Sequence, residues 1–370
     1  MSIAKRILSV LLVLSMTLAF FGCSSKKEKP KDKKEEFETI ELTTEETVEK
    51  DTAPSEPKFV NPLTGIECDP ALAGKRPIGV MFNNLDQALP QINLSKCDII
   101  YEALAEGGIT RLEGLILDYA NAGNLGSIRS ARPYYVNIAR AYDAVYVHAG
   151  WSPQAQSLIS SAKVDNLNGV NSNFKVNGEW LFWRDQKRLN SGYALEHTMF
   201  ASGDDIAAGI AQKGYRTTLN DAGFRAFLFD YDFKGVGTGT SAKKIMIPFS
   251  GSYKVEFNYE EESGLYAHVR KGKAHLDGAN NTQIKTENVF IIYANHGFYD
   301  SYGRRIITLT GEGKGVYANG GEYVNIIWKR ASDDVPFKYY TEDGAELKVS
   351  TGTSYVSIVD VKTQPSVTIS

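Results

Sequence analysis

The pattern of hydrophobic and polar residues divides the chain into four stretches. Residues 7–21 form an apolar run near the N-terminus, and residues 24–58 hold very few large apolar side chains. From about residue 61 to residue 220, strand-like apolar runs alternate with runs of helical periodicity. After residue 224 only short β-rich runs between turns remain. The pattern predicts an α+β protein, in which an N-terminal α/β domain with a mixed sheet (residues 59–222) is followed by an all-β antiparallel domain (residues 223–370).

Two predicted junctions between a strand and a helix follow each other closely in the α/β domain. After the first strand, Pro133 is expected at the first position of a helix, where its fixed φ angle is favourable. After a buried strand over residues 144–149, Ser152 is expected to cap a second helix that begins at Pro153. Ligands of open α/β sheets bind at such junctions, so a binding site is expected in these loops.

The N-terminal apolar run has the features of an export signal. Basic residues precede it, and residues 7–21 are fewer than the about 20 apolar residues that a transmembrane helix needs. The run ends just before Cys23 in a pattern that resembles the bacterial lipobox, although Phe20 stands where that pattern prefers leucine. We predict a signal peptide over residues 1–22 and a diacylglyceryl group on Cys23. The alternative is an ordinary signal peptide followed by a chance cysteine.

The stretch after Cys23 is predicted to be a disordered tether. Residues 24–58 contain 8 lysines against 11 acidic residues, and they bury too little apolar surface to offset their chain entropy. We therefore expect residues 23–58 to link the lipid to the folded part of the chain. This predicts an exported protein on the outer face of the cytoplasmic membrane, with the membrane itself as a partner through the lipid anchor.

Composition excludes several kinds of partner and cofactor. The chain of 370 residues has a formal net charge of -3, from 41 Lys+Arg against 44 Asp+Glu, which gives no argument for nucleic acid as a partner. Its cysteines and histidines form no cluster with metal-ligand spacing, and no nucleotide- or dinucleotide-binding fingerprint is present, so we predict no metal and no cofactor. Cys68 and Cys97 pair if the domain meets an oxidising space; otherwise they are isolated small apolar residues.

Basic and hydroxyl side chains gather at the two junctions and at the preceding Gly-Gly turn. These anion-binding candidates are Arg111, Arg129, Ser130, Arg132, His148 and Ser152. Guanidinium groups suit phosphate or carboxylate, and helix N-termini favour negative charge, so the sequence predicts an anion-binding site.

A purely structural reading of the same residues stays open. Arg111 and Arg129 can pair with acidic residues on neighbouring strands, namely Asp98, Glu102, Glu106 or Glu113. In that reading His148 is a core histidine and Ser152 does no more than cap its helix.

Four segments carry a resemblance to a known family: residues 76–81 (RPIGVM), 98–102 (DIIYE), 106–111 (EGGITR) and 128–134 (IRSARPY). Together they resemble the YerB-like lipoproteins, whose domain has no established activity. The resemblance extends from about residue 61 to residue 360. It implies an exported lipoprotein, and it adds Arg184, Asp185 and His197 as secondary candidates in a later motif. Glu196 and Thr198 flank that histidine where the family pattern has Pro and Asn.

Two functions follow from these observations. The first is an accessory or binding protein of the cell envelope that recognises an envelope polymer, a phosphate-bearing ligand or an envelope protein. The alternative is a hydrolase or transferase acting on a phosphorylated or acidic envelope substrate. In that case His148 would serve as general acid or base, with Asp98, Glu102 or Glu106 as the other acid/base candidates.

Overall fold

The structure is a computed structural model that describes residues 57–170 and 174–370. The predicted signal peptide, Cys23 and the predicted tether up to residue 56 lie outside the described residues. Within the described ranges, no helix combines the length and apolar character needed to cross a membrane. Cys68 and Cys97, which both lie in these ranges, are free thiols.

The secondary structure begins with strands and helices in alternation and continues with strands. The α-helices of the described residues are α1 (Pro133–Ala141), α2 (Pro153–Ser161), α3 (Gln186–Asn190) and α4 (Gly203–Gln212). The strands up to α4 are β1 (Ile78–Phe82), β2 (Ile99–Leu104), β3 (Thr110–Ile116), β4 (Asn124–Gly126), β5 (Val145–His148), β6 (Asn166–Asn168), β7 (Lys175–Val176), β8 (Glu179–Trp180), β9 (Trp183–Arg184) and β10 (Met199–Ser202).

The strands after α4 form the rest of the fold. They are β11 (Leu228–Asp230), β12 (Lys244–Ser250), β13 (Tyr253–Glu260), β14 (Leu265–Arg270), β15 (Lys273–Ala274), β16 (Lys285–Thr286), β17 (Asn288–Phe298), β18 (Arg305–Thr308), β19 (Gly311–Asn319), β20 (Glu322–Arg330), β21 (Lys338–Thr341), β22 (Lys348–Ser350), β23 (Ser354–Asp360) and β24 (Thr368–Ile369).

The central feature is a mixed sheet with the strand order β21-β20-β19-β17-β23-β2-β3-β1-β5-β6, to which β18 is added by pairing with β17. Its pairs β1–β5, β5–β6, β2–β23 and β17–β23 are parallel, and the others are antiparallel. Strands β1, β2 and β3 are buried at every position. Strand β1 is apolar throughout, whereas β2 and β3 also carry buried charged residues, namely Glu102, Arg111 and Glu113. The predicted α+β class is confirmed, with a mixed sheet and mostly antiparallel strand pairs after residue 223.

The two predicted segments share this sheet. Strand β2 lies parallel to β23, with Ile100 opposite Tyr355, so a strand from residues 59–222 is hydrogen-bonded to one from residues 223–370. The described residues accordingly belong to one compact unit. The division at residues 222 and 223 stays a prediction about the order of element types along the chain.

Both faces of the sheet are covered. On one face, Ile78, Val80 and Phe82 pack in a core with residues of a second, six-stranded sheet formed by β12–β16 and β24. On the other face, Met81 and Tyr101 pack in a core with side chains of α1 and α2. Because α1 and α2 start at the edge where β1 and β5 end, their N-terminal loops lie side by side at that edge.

Candidate functional site

The two strand-to-helix junctions meet through backbone hydrogen bonds. Ala149 N donates to Arg129 O at 3.0 Å, Ala131 N donates to Gly150 O at 2.9 Å, and Ser152 N donates to Ala131 O at 3.2 Å. Each helix starts as the sequence predicts: Pro133 is the first residue of α1, and the Ser152 side chain caps α2. The segment before α1 therefore runs alongside the segment before α2.

Two arginines bind one carboxylate at this place and a third arginine lies near them, and we call Arg111, Arg129, Arg132 and Glu106 the arginine cluster. Arg132 binds Glu106 with two hydrogen bonds, from Nε at 2.5 Å and from Nη2 at 2.7 Å. Arg111 adds a third from its Nη2 at 3.1 Å. Glu106 lies in the turn after β2, which brings it opposite the start of α1. Glu106 is one of the four acidic residues that the sequence analysis named as partners for the arginines.

The remaining donors of these arginines hold the loop before α1. Arg111 Nη1 donates to Ser130 O at 2.6 Å, and Arg132 Nη1 donates to Ala131 O at 2.7 Å. The hydroxyl group of Ser130 donates to Ala149 O at 3.0 Å, so it is also used in joining the two junctions. Arg111 and Arg132 are each 8% exposed, which makes their guanidinium groups part of a rigid and largely dehydrated wall.

Arg129 differs from the other two arginines. Its Nε atom is buried and has no hydrogen-bond partner among the described residues. Burial lowers the pKa of Arg129, and the charge of Arg132 lowers it further. Glu196 and Glu106 act in the opposite direction. A buried guanidinium donor without a partner carries an unfavourable desolvation cost, which a bound anion would remove.

The electrostatics of the arginine cluster are dominated by positive charge. Burial, followed by the charge of Arg132, lowers the pKa of Arg111 to about 10. Burial alone would raise the pKa of Glu106, but the hydrogen bond from Arg132 and the charges of Arg111 and Arg132 bring it below its ordinary value. Arg111 and Arg132 therefore contact the ionised Glu106, Arg129 adds a third positive charge beside them, and the four residues of the arginine cluster have a formal charge of +2.

His148 and Ser152 make hydrogen bonds outside the arginine cluster. His148 is fully buried, and its ring nitrogens contact Gly150 O at 2.8 Å and Asn166 Oδ1 at 3.2 Å. Burial lowers its pKa, while these two hydrogen bonds raise it. The Ser152 hydroxyl accepts a hydrogen bond from Ala155 N at 3.2 Å as a helix cap. Both side chains thus have the partners that the structural reading assigns to them.

Two of the acid/base candidates also have partners elsewhere. Asp98 accepts hydrogen bonds from Asn61 Nδ2 at 2.8 Å and Leu117 N at 2.7 Å, and desolvation raises its pKa to about 6. Glu102 is fully buried and accepts hydrogen bonds from a threonine and two tyrosines, namely Thr110, Tyr253 and Tyr355, at 2.6–2.9 Å. Burial raises its pKa. Of the predicted carboxylates, Glu106 is the one in contact with the predicted arginines.

The secondary candidates approach the arginine cluster through Glu196. The charges of Arg129, His197 and Arg184 all lower the pKa of Glu196, after the effect of its own backbone hydrogen bond. His197 Nδ1 contacts Asn83 Nδ2 at 2.9 Å, and Arg184 donates to Leu195 O. Asp185 instead caps α3, where its carboxylate accepts hydrogen bonds from Lys187 N at 2.8 Å and Arg188 N at 3.2 Å. The role of Asp185 in the structure is therefore local.

Sequence reasoning missed a group beside the arginine cluster on the β17–β18 hairpin. Arg305 Nε donates to Ala105 O, the residue before Glu106, at 3.1 Å. The phenol of Tyr302 raises the pKa of Arg129, as Glu196 and Glu106 also do. The available signal was the concentration of aromatic and basic residues over residues 298–305, since aromatic residues between short β-rich runs are exposed unless something covers them. Within the described ranges, no group of three or more His, Cys, Asp or Glu residues is placed to hold a metal ion.

Comparisons with known proteins agree with this architecture. The models for the N-terminal and the C-terminal domain of a protein of unknown function, DUF3048, match residues 63–216 and 245–356. The chain is 32% identical over 314 residues to a Bacillus subtilis protein named "Putative lipoprotein YerB", covering 84% of this chain and 89% of that protein. The crystal structure of the YerB protein from Bacillus subtilis superposes with a TM-score of 0.71 at 29% identity, covering 85% of this chain and 100% of that chain.

Proposed function

The chain belongs to the YerB-like DUF3048 family, and we propose that it is a membrane-tethered accessory protein of the cell envelope that binds a phosphate-bearing ligand at the arginine cluster. The ligand is a phosphate group carried by an envelope polymer or by another envelope component. The proposal joins a location, which comes from the N-terminal sequence, to a binding site, which comes from the folded part.

The location rests on the leader and on the relative. The apolar run ends at Cys23 in a lipobox-like pattern, and the related Bacillus subtilis protein carries the word lipoprotein in its name. We propose that Cys23 is lipidated after removal of residues 1–22, and that the chain stands on the outer face of the cytoplasmic membrane. Residues 24–58 then give the folded unit reach into the envelope.

The single observation that carries the binding role is the unbalanced charge of the arginine cluster. Arg111 and Arg132 share the Glu106 carboxylate, and the Arg129 Nε atom beside them has no partner within the described residues. A bidentate guanidinium–phosphate contact would supply that partner and reduce the repulsion between the three cations. The binding role is favoured over the hydrolase or transferase alternative because Asp98, Glu102 and His148 have hydrogen-bond partners away from the arginine cluster.

The test is a calorimetric titration of inorganic phosphate into the wild type and two arginine variants. Arg129→Gln removes the charge whose Nε atom is unpartnered, and we expect it to weaken phosphate binding at least tenfold. Arg140→Gln is the matched control, because Arg140 lies on α1 in a more exposed ion pair with Asp334 at 3.6 Å. We expect the control to bind phosphate within twofold of the wild type.

A second variant separates charge from geometry. Arg129→Lys keeps the positive charge and loses the planar fork, so we expect intermediate affinity. Circular dichroism of each variant verifies that it is folded before titration. Equal phosphate affinity in the wild type, Arg129→Gln and Arg140→Gln, or no binding by the folded wild type, would refute the proposed site.

A further inference from the structure

The β17–β18 hairpin carries a group of exposed apolar side chains. Phe298 is 60% exposed, Tyr299 45% and Tyr302 72%, and Ile306 on the returning strand is 36% exposed. Single exposed apolar residues are ordinary on protein surfaces, but four within nine residues at one hairpin tip form a patch of the kind that marks an interaction site. We call these four residues the hairpin patch.

The hairpin patch adjoins the arginine cluster. Arg305 binds the backbone of Ala105, the residue before Glu106, and its guanidinium group lies 4.9 Å from the centroid of the Phe298 ring. Phe298 and Arg305 are also opposite each other in the antiparallel pairing of the hairpin. On the other side, Tyr302 is near enough to Arg129 to affect its pKa. The exposed apolar side chains of the hairpin therefore lie next to the positively charged arginine cluster.

The position of the hairpin patch is set by the core beneath it. Ile307 and Leu309, which follow the patch, are buried in the same core as α1. At the tip, Arg304 forms an ion pair with Asp300 at 2.7 Å, which leaves the charge of Arg305 in excess. The tip thus combines exposed rings with a net positive charge, and it is attached to the side of the arginine cluster.

This combination selects one class of ligand. A small soluble anion would need the guanidinium groups and nothing else, whereas an exposed apolar patch gains free energy only if hydrocarbon covers it. The positive charge of Arg305 and of the arginine cluster favours a negative group on the same ligand. We propose that the ligand is an amphiphilic phosphate, whose phosphate group binds at the arginine cluster and whose hydrocarbon chain packs on Phe298 and Tyr302. This inference rests on the proposed function.

The test compares two phosphate monoesters that share the same head group. Methyl phosphate and octyl phosphate are titrated into the chain from residue 23 with Cys23→Ser, so that no attached lipid competes. We expect octyl phosphate to bind at least tenfold more tightly than methyl phosphate. In the double variant Phe298→Ser/Tyr302→Ser, both of whose side chains are mostly exposed, we expect this ratio to fall to near one. Trp180→Ser, which changes an exposed aromatic residue on the separate β7–β8 hairpin, is the matched control and keeps the ratio.

Each outcome decides between the two proposals. Equal binding of both esters overturns the amphiphilic ligand and leaves the phosphate site standing, whereas no binding of either overturns the proposed function and this inference with it. If the double variant still binds octyl phosphate at least tenfold more tightly than methyl phosphate, the hydrocarbon group binds away from Phe298 and Tyr302, and the inference is overturned. Vesicles of phosphatidylcholine with phosphatidylglycerol form a further arm. If the double variant loses vesicle binding while the ester ratio in the wild type is near one, the patch contacts a bilayer surface instead, which refutes the proposed single ligand.

Discussion

Replacing Glu106 by glutamine tests the charge balance of the arginine cluster directly. The substitution keeps the size of the side chain and removes the carboxylate that accepts three hydrogen bonds from Arg111 and Arg132. The side chains of Glu106 and Arg132 are 15% and 10% exposed, so this pair is largely shielded from water. Removing one partner of a buried ion pair costs about 3–5 kcal/mol, and because Glu106 is partly exposed we expect a loss of ~3 kcal/mol.

The same substitution raises the formal charge of the arginine cluster from +2 to +3, since one carboxylate is lost. We therefore expect Glu106→Gln to bind phosphate more tightly than the wild type while being less stable without it. A ligand at about one hundred times its Kd stabilises the folded state by about 2.7 kcal/mol. Phosphate at a fixed concentration should accordingly raise the free energy of unfolding of Glu106→Gln by more than it raises that of the wild type.

The assay is urea unfolding with and without phosphate, read as the free energy of unfolding and its midpoint. Glu312→Gln is the control, because Glu312 pairs with Lys329 on the surface, where such pairs are worth about 0–1 kcal/mol. The pKa of Glu106 is lowered in the folded state, so its contribution is present above the ordinary carboxyl pKa and is lost as the pH falls through the lowered value. Unchanged stability of Glu106→Gln, or a phosphate effect no larger than in the wild type, would refute the reasoning.

Two further substitutions test residues that the structure places outside the arginine cluster. Both carboxyl oxygens of Glu113 are buried without a hydrogen-bond partner in the described part of the chain, and burial holds its pKa well above the ordinary value. Glu113→Leu should raise the free energy of unfolding by ~1–3 kcal/mol. In the wild type, the raised pKa of Glu113 lowers the stability as the pH rises above the ordinary carboxyl range, and this decline should be absent from the variant. Urea titrations of both proteins across pH that show the same decline in each would contradict this. Ser152→Ala should cost about 1 kcal/mol of stability by removing the cap of α2, and calorimetry should show unchanged phosphate affinity, so a tenfold loss of affinity would return Ser152 to the binding site.

Much of the local structure was accessible from sequence because it depends on near neighbours. The starts of α1 and α2 at Pro133 and Pro153 follow from the fixed φ of proline and from the Ser152 cap, both of which act within one helical turn. The grouping of Arg111, Arg129 and Arg132 was also a sequence-based prediction, since two of them flank one junction and the third begins the strand after a tight turn.

The roles of individual side chains at the site were less accessible. Asp98, Glu102, Glu106 and Glu113 were equivalent as partners for the arginines in sequence, and the structure puts Glu106 in contact with them. Glu102 instead accepts a hydrogen bond from Tyr355, a residue 253 positions away in the chain. No local pattern encodes a contact of that separation. The β17–β18 hairpin comes to the site in the same way, through the long-range bond between Arg305 and Ala105.

The sequence by itself determined that strands and helices alternate before a run of strands, the starts of α1 and α2, the predicted leader and the family, because each of these depends on short segments read in order. Only the tertiary structure decided that β2 pairs with β23, so that one sheet joins both halves of the described chain. The physical reason is that strands buried on both faces are rich in apolar residues, and an apolar run indicates that a strand is buried but not which strand lies beside it. The same long-range pairings bring the arginine cluster and the hairpin patch together.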